Sequence, residues 1–306
     1  MKNQSARAVA HRPKRLGRED ITHYLMLLPF VSLFFLFTAL PVLSSIVLSF
    51  FDYDMISAPK WAGFGNYLRM IVGDEVFPKT VANTLKFAII TGPAGFFLSF
   101  LLAWFINEFK PAIRHILAFL FYAPSLVGNA YLVWQVAFTG DSYGYINSFL
   151  LKLGLITEPI NWFYNTSYNM GILIFIQLWS CMGVSFLSNL AGLQNVDPSV
   201  YEAGAIDGIR TRWHELWYIT LPGMKDILLF SAVMQIQATF SISALITTLA
   251  GYPSVDNSVD TIVSHLADVG TVRYEMGYAA AMSVFLFGIM AFVRLIVGKI
   301  MNAVGR

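Results

Sequence analysis

An all-α membrane protein with six transmembrane helices and one long cytoplasmic loop is the fold class that this sequence predicts. Composition carries part of the argument. Of 306 residues, 57% are hydrophobic and 12% charged, against about 45–50% and about 25% in a soluble domain. Mean hydropathy is +0.62. Six apolar stretches, near 24–50, 81–106, 113–139, 168–190, 227–250 and 277–301, each reach roughly the 20 residues that a helix needs to cross a bilayer. A helix satisfies its own backbone, as a lipid interior demands. Soluble and disordered chains are excluded. The net charge of +2 leaves no basic footprint for nucleic acid. Cys181 is the one cysteine, which rules out an internal disulfide or a multi-cysteine metal site.

Residues 1–23 read as a basic segment, with Lys2, Arg7, Arg12, Lys14, Arg15 and Arg18. The first apolar stretch is far longer than a signal-peptide core and lacks a small-x-small cleavage site, so it is expected to be a retained span. Pro29 and Pro41 interrupt it, which membrane helices tolerate. Placing the first segment in the cytoplasm puts fourteen of the 20 basic residues inside: those six with Lys110, Arg114, Arg210, Arg212, Lys225, Arg294, Lys299 and Arg306. Outside lie Lys60, Arg69, Lys79, Lys152 and Arg273, and Lys86 falls just within the second span. Basic residues favour the cytoplasmic side, so both termini, including the tail 302–306, are expected there. Outer loops near 51–80, 140–167 and 251–276 carry Trp61, Tyr67, Trp162 and Tyr164, rings of the kind that settle at a membrane interface. The inner link at 107–112 is short; the one at 191–226 is long.

That long loop has its own helical grammar. Asp197-Pro198 places an N-cap before a proline at the first helical position. A helix is expected through Ser199–Ile206, with Glu202 near the amino end, where the dipole favours an anion. Asp207-Gly208 is a turn pair that stops it, Gly208 taking a positive φ. A second helix follows, with Trp213, Leu216 and Trp217 on one apolar face, and Pro222-Gly223 breaks it. Such a hairpin suits the inner membrane surface. It also suits a docking site, since Ala203, Gly204 and Ala205 let another protein come close.

The run Glu202-Ala203-Gly204-Ala205-Ile206-Asp207-Gly208, continuing to Ile219-Thr220-Leu221-Pro222, resembles the EAA loop of ABC importer permeases. That pattern reads roughly Glu-Ala-Ala-x-x-Asp-Gly-Ala, about a dozen residues, then Ile-x-Leu-Pro. Two departures occur: Gly204 replaces an Ala, and Ile209 replaces the Ala after Gly208. Gly63-Phe64-Gly65-Asn66-Tyr67, Thr248-Leu249-Ala250-Gly251-Tyr252-Pro253 and Gly277-Tyr278-Ala279-Ala280-Ala281-Met282-Ser283 are similar to elements of the maltose-transporter-like carbohydrate branch. The resemblance covers nearly the whole chain.

It implies the type I ABC importer permease fold, in which the loop forms a coupling helix. Glu202 would pair with a basic group of the ATPase, Ala203 and Gly204 would permit close packing, and Asp207 and Gly208 would form the corner. Leu221 and Pro222 would close the motif. It further implies a second, distinct permease, two ATPase subunits and an extracellular solute-binding protein, in a bacterial or archaeal cytoplasmic membrane. The chain has no Gly-x-x-x-x-Gly-Lys-Ser/Thr loop, so no cofactor is expected on it, and ATP with Mg belongs to the partner ATPase.

Polar groups inside spans tend to face a cavity or a neighbouring helix. The pathway candidates are Asn129, Trp134 and Gln135 in the third span, Gln177 and Trp179 in the fourth, and Gln235, Gln237 and Ser241 in the fifth. Amides beside flat rings suit a sugar, whose hydroxyls need partners while its C–H faces stack. Amides also bridge membrane helices. A small polar solute such as a glycerol phosphodiester is the alternative cargo, although the spans hold few cations. An ion-coupled carrier would carry acidic relays within its spans; these contain no Asp, and Glu108 lies near an end. An intramembrane enzyme finds no support, since His11, His23, His115, His214 and His265 form no His-x-x-x-His pair.

Overall fold

The computed structural model describes residues 18–181 and 183–304. The basic run from Lys2 to Arg15 lies outside them. Two compact units divide the chain at Val47 and Leu48. In the first, α1 (Arg18–Phe34) begins within the segment read from sequence as a basic tail. A π-helical turn at Phe35–Ala39 leads into α2 (Leu40–Leu48). Pro41 has no N–H for the carbonyl one turn back, and the wider turn absorbs the missing bond. Thr22–Leu48 contains a strongly apolar 18-residue window, none of which is buried.

The second unit opens with a short hairpin, β1 (Phe51–Asp52) against β2 (Lys60–Trp61), antiparallel with Phe51 opposite Trp61. It is followed by α3 (Gly65–Leu68). Asn66 is buried and donates to the carbonyls of Ser49 and Phe51 at 3.0 and 2.9 Å, while the Tyr67 hydroxyl donates to Ser49 Oγ at 2.8 Å. The Gly277 N–H donates to the Tyr53 carbonyl at 3.2 Å. The Asn-Tyr pair and the opening of the last helix therefore hold the same turn.

Next come α4 (Phe77–Asn107), α5 (Pro111–Leu126), α6 (Leu132–Ala137) and α7 (Tyr145–Lys152). One continuous helix was expected over 113–139, and it does not form. With 16 residues, α5 spans about 24 Å, short of the roughly 30 Å hydrocarbon core. Pro124 sits in its last turn, Val127 is extended, and turns through Tyr131 separate it from α6. The fourth stretch is also interrupted: α8 (Asn169–Cys181) and α9 (Gly183–Asn195) are bent by 41°. The interhelix segment contains α10 (Pro198–Ile206), α11 (Arg212–Glu215) and α12 (Leu221–Gly223). It leads to α13 (Lys225–Phe240), α14 (Ser243–Leu249), α15 (Ile262–Ala267) and α16 (Met276–Val304). Among the described residues, four helices are long and apolar enough to cross a membrane, and a fifth if the bent pair is one span: Thr22–Leu48, Phe77–Asn107, Asn169–Asn195, Lys225–Leu249 and Met276–Met301.

Packing centres on α4, which lies against α9 and α13. At the end bearing α10–α12, Phe100, Ala103, Ile106, Phe186, Leu190, Leu193, Leu216, Met224 and Leu228 form one core cluster. The opposite end is tied by polar groups. Asp74 Oδ1 accepts the N–H groups of Val76 and Phe77 at 2.9 and 3.0 Å, capping the start of α4. Its Oδ2 accepts from the Tyr278 hydroxyl at 2.7 Å and meets His265 Nε2 at 2.8 Å. The other ring nitrogen of His265 meets the Tyr252 hydroxyl at 3.0 Å. Burial works against the Asp74 charge, but the bonds from His265, Tyr278 and the Phe77 N–H outweigh it and hold its pKa down to about 2. The loop after α14 is strapped to the bundle by Asn83, which donates to the carbonyls of Asn257 and Asp260 at 2.9 and 3.0 Å, and by Asn169, which donates to Ser258 at 2.7 Å.

Candidate functional site

The segment from Asp197 to Gly223 folds as its capping residues dictate. Asp197 accepts the Ser199 N–H at 2.9 Å, with Pro198 at the first helical position of α10. That bond also lowers the Asp197 pKa. Asp207 is the C-cap, and Gly208 takes φ +94°. The Ile209 N–H returns to the Gly204 carbonyl at 2.9 Å and the Gly208 N–H to the Ala205 carbonyl at 3.4 Å, the paired bonds of a Schellman ending. The expected corner at Asp207-Gly208 is present.

Its surfaces differ from expectation in three ways. Glu202 is exposed, but it is the fifth residue of α10, and no acidic residue lies in the first turn; the dipole acts mainly within that turn. Gly204 is buried and faces its own chain, whereas Ala203, Ala205 and Ile206 are open, Ile206 being 87% exposed. The predicted face of Trp213, Leu216 and Trp217 is split. Leu216 enters the core cluster, while Trp213 and Trp217 stay about three-fifths exposed, at 60% and 59%. Trp213 and Trp217, four residues apart, share one side of the segment and Leu216 lies off that side; a π-helical turn runs on through Leu216–Thr220. Leu221 packs beside the same cluster and Pro222 is exposed.

Two contacts that sequence reasoning missed fasten this segment. The Tyr201 hydroxyl meets Thr220 Oγ1 at 3.0 Å, joining α10 to the π-helical turn. Arg212 bridges Glu215 and Glu108, both at 2.8 Å. Glu215, Glu108 and the attendant charge raise the Arg212 pKa. The i,i+3 pairing of Arg212 and Glu215 is legible from spacing; Glu108, 104 residues away, is not.

The pathway candidates sort by exposure. Gln177 is buried and donates to the Ala238 carbonyl at 3.1 Å. Gln235 is buried, donates to the Thr91 carbonyl at 3.3 Å and accepts from Ser185 Oγ at 3.4 Å. Both therefore bridge helices. Trp134 and Trp179 meet edge to face at 5.6 Å, with Phe175 5.1 Å from Trp134. Asn129, which accepts from the Tyr131 hydroxyl at 3.0 Å, and Gln135 are exposed. Gln237 and Ser241 are exposed one turn apart, and Ala244 and Thr248 extend them as a stripe along α13–α14. The open faces of α5 and α16 carry large apolar side chains, as with Ile116, Phe119 and Leu120 on α5 or Phe287, Phe292 and Leu295 on α16. Among the described residues no group of three or more His, Cys, Asp or Glu is placed to hold a metal ion.

No family model matches the chain. It is similar to a probable ABC transporter permease protein, YesP, of Bacillus subtilis, 31% identical over 94% of this chain and 93% of that one. The arabinooligosaccharides transport system permease protein AraP of Bacillus subtilis is 29% identical over 97% and 95% of the two chains. The fold matches a bacterial alginate ABC transporter solved in complex with an alginate pentasaccharide-bound periplasmic protein, at a TM-score of 0.78, 21% identity, and 94% and 96% coverage.

Proposed function

Because the chain belongs to the ABC transporter permeases, we propose that it forms one half of a sugar translocation path and receives motion from an ATPase through α10. It is a transport subunit rather than an enzyme. In this reading six segments cross the membrane, with α5 and α6 together serving as the third, and both termini and the 197–223 segment lie in the cytoplasm. The partners are a second, distinct permease, two ATPases that bind ATP and Mg, and an extracellular protein that delivers the sugar.

One observation carries the coupling role. A helix capped at both ends projects open residues, above all Ile206, while the next turn of the same segment is rooted in the core through Leu216 and Met224. Something docked on α10 would pull on the bundle. In this reading Ala203 lets the ATPase approach closely, and Asp207 and Gly208 form the corner that ends the docked helix. Glu202 supplies an exposed anion, and Gly204 serves internal packing. For the path, the polar stripe of Gln237, Ser241 and Thr248 is unsuited to lipid and suits the hydroxyls of an uncharged sugar, with Asn129, Gln135 and the Trp134–Trp179 pair as further contacts. The names of relatives that carry arabinooligosaccharides and lactose support this cargo class.

Co-purification of the tagged chain from its native membrane tests the assembly. Recovery of an ATPase, a second permease and a solute-binding protein is expected. A chain that purifies alone and moves sugar without ATP would contradict it.

A further inference from the structure

Gly204 is small for a steric reason. A Cβ built there would lie 2.6 Å from Cδ1 of Ile219 and 3.3 Å from Cδ1 of Ile209, whereas carbons in contact sit about 3.5–4.0 Å apart. Ile219 is 6% exposed and lies three residues beyond Leu216, within the π-helical turn rooted in the core. One turn before Gly204 on α10, Tyr201 meets Thr220, the neighbour of Ile219, at 3.0 Å. Gly204 and Ile209 are also the two positions where the loop departs from the pattern it resembles, one smaller and the other larger. The space surrendered at Gly204 is filled by the two isoleucines that flank it.

We propose that Gly204, Ile209 and Ile219 form a close-packed joint that seats α10 on the 216–224 segment, and that the fit of this joint positions the helix to transmit motion. The inference rests on the coupling role proposed above. Packed interiors resist compression, so a filled joint passes a displacement of α10 to Leu216 and Met224, while a wedged one lets α10 settle in another orientation. These are positioning residues; the docking contacts belong to the open side of the helix.

The test uses the complete assembly in proteoliposomes, with labelled neutral arabino- and malto-oligosaccharides as probes, and reads sugar imported per ATP hydrolysed. Alanine forms helix better than glycine, so propensity alone predicts that Gly204→Ala does no harm. Cδ1 is the far end of a flexible side chain and can turn aside, so the joint predicts that Gly204→Ala lowers the ratio about threefold while assembly and ATP hydrolysis persist. Adding Ile219→Val, which removes the clashing Cδ1, should restore the parent ratio. A silent Gly204→Ala, or a double variant no better than the single one, overturns the proposal. If the unmodified assembly imports the probes without ATP, the coupling role itself fails and the joint fails with it.

Discussion

Gly208 shows how much a single residue decides. Its φ of +94° lies where an L side chain costs about 1–2 kcal/mol, and nothing lies within 4 Å of a Cβ built there. Within this chain strain, not crowding, is therefore the cost. Gly208→Ala should lower uptake by about tenfold at unchanged assembly, and Gly208→Asn, which tolerates this conformation, should lower it less. Parallel uptake assays on equal amounts of complex check the order. Asp74 is the counterpart at the opposite end. Its carboxylate pKa is lowered from 3.8 to about 2, so its contribution is fully present above the unfolded value and is lost as pH falls through the folded one. The shift corresponds to about 2 kcal/mol. Asp74→Asn should therefore lower the melting temperature at neutral pH, and the gap to the parent should close as the pH approaches 2. Melting curves in detergent across that range decide it. The sequence held no sign of this group as a hub, because His265 and Tyr278 lie 191 and 204 residues away.

At the scale of elements, hydropathy located the long helices to within a few residues, and the caps of α10 were readable one by one. The rest depended on rotation and breaks that composition does not encode. The third stretch was apolar enough to read as one helix, yet Pro124 and the extended Val127 divide it. On α13, Gln235 and Gln237 have the same chemistry, but one bridges α13 to α4 and the other faces outward. The packing of Gln235 against Thr91 and Ser185 separates them. Their substitutions should differ in kind. Gln235→Leu is expected to cost about 1 kcal/mol of stability, in the range of membrane hydrogen bonds, with the KM for sugar unchanged. Gln237→Ala and Ser241→Ala should raise KM and leave melting unaltered. A KM change confined to Gln235→Leu would reverse the assignment of the stripe.

For the whole molecule, the charge bias predicts that the α10 side faces the cytoplasm. Tyr143 and Ile206 are 92% and 87% exposed, and the proposed topology puts them on opposite sides. In a Cys181→Ser background and in cells lacking the ATPase that would cover α10, Tyr143→Cys should react with a membrane-impermeant thiol reagent on intact cells, and Ile206→Cys only after the membrane is opened. The reverse pattern would invert the topology and remove α10 from the ATPase.

The central claim is that ATP hydrolysed on another chain moves this one through α10. Its most direct measurement is sugar uptake into proteoliposomes holding the complete assembly, driven in turn by ATP and by imposed proton and sodium gradients. Uptake that requires ATP, ignores the gradients and falls in Gly208→Ala is the predicted result. Uptake driven by a gradient without ATP, and indifferent to Gly208, would contradict it.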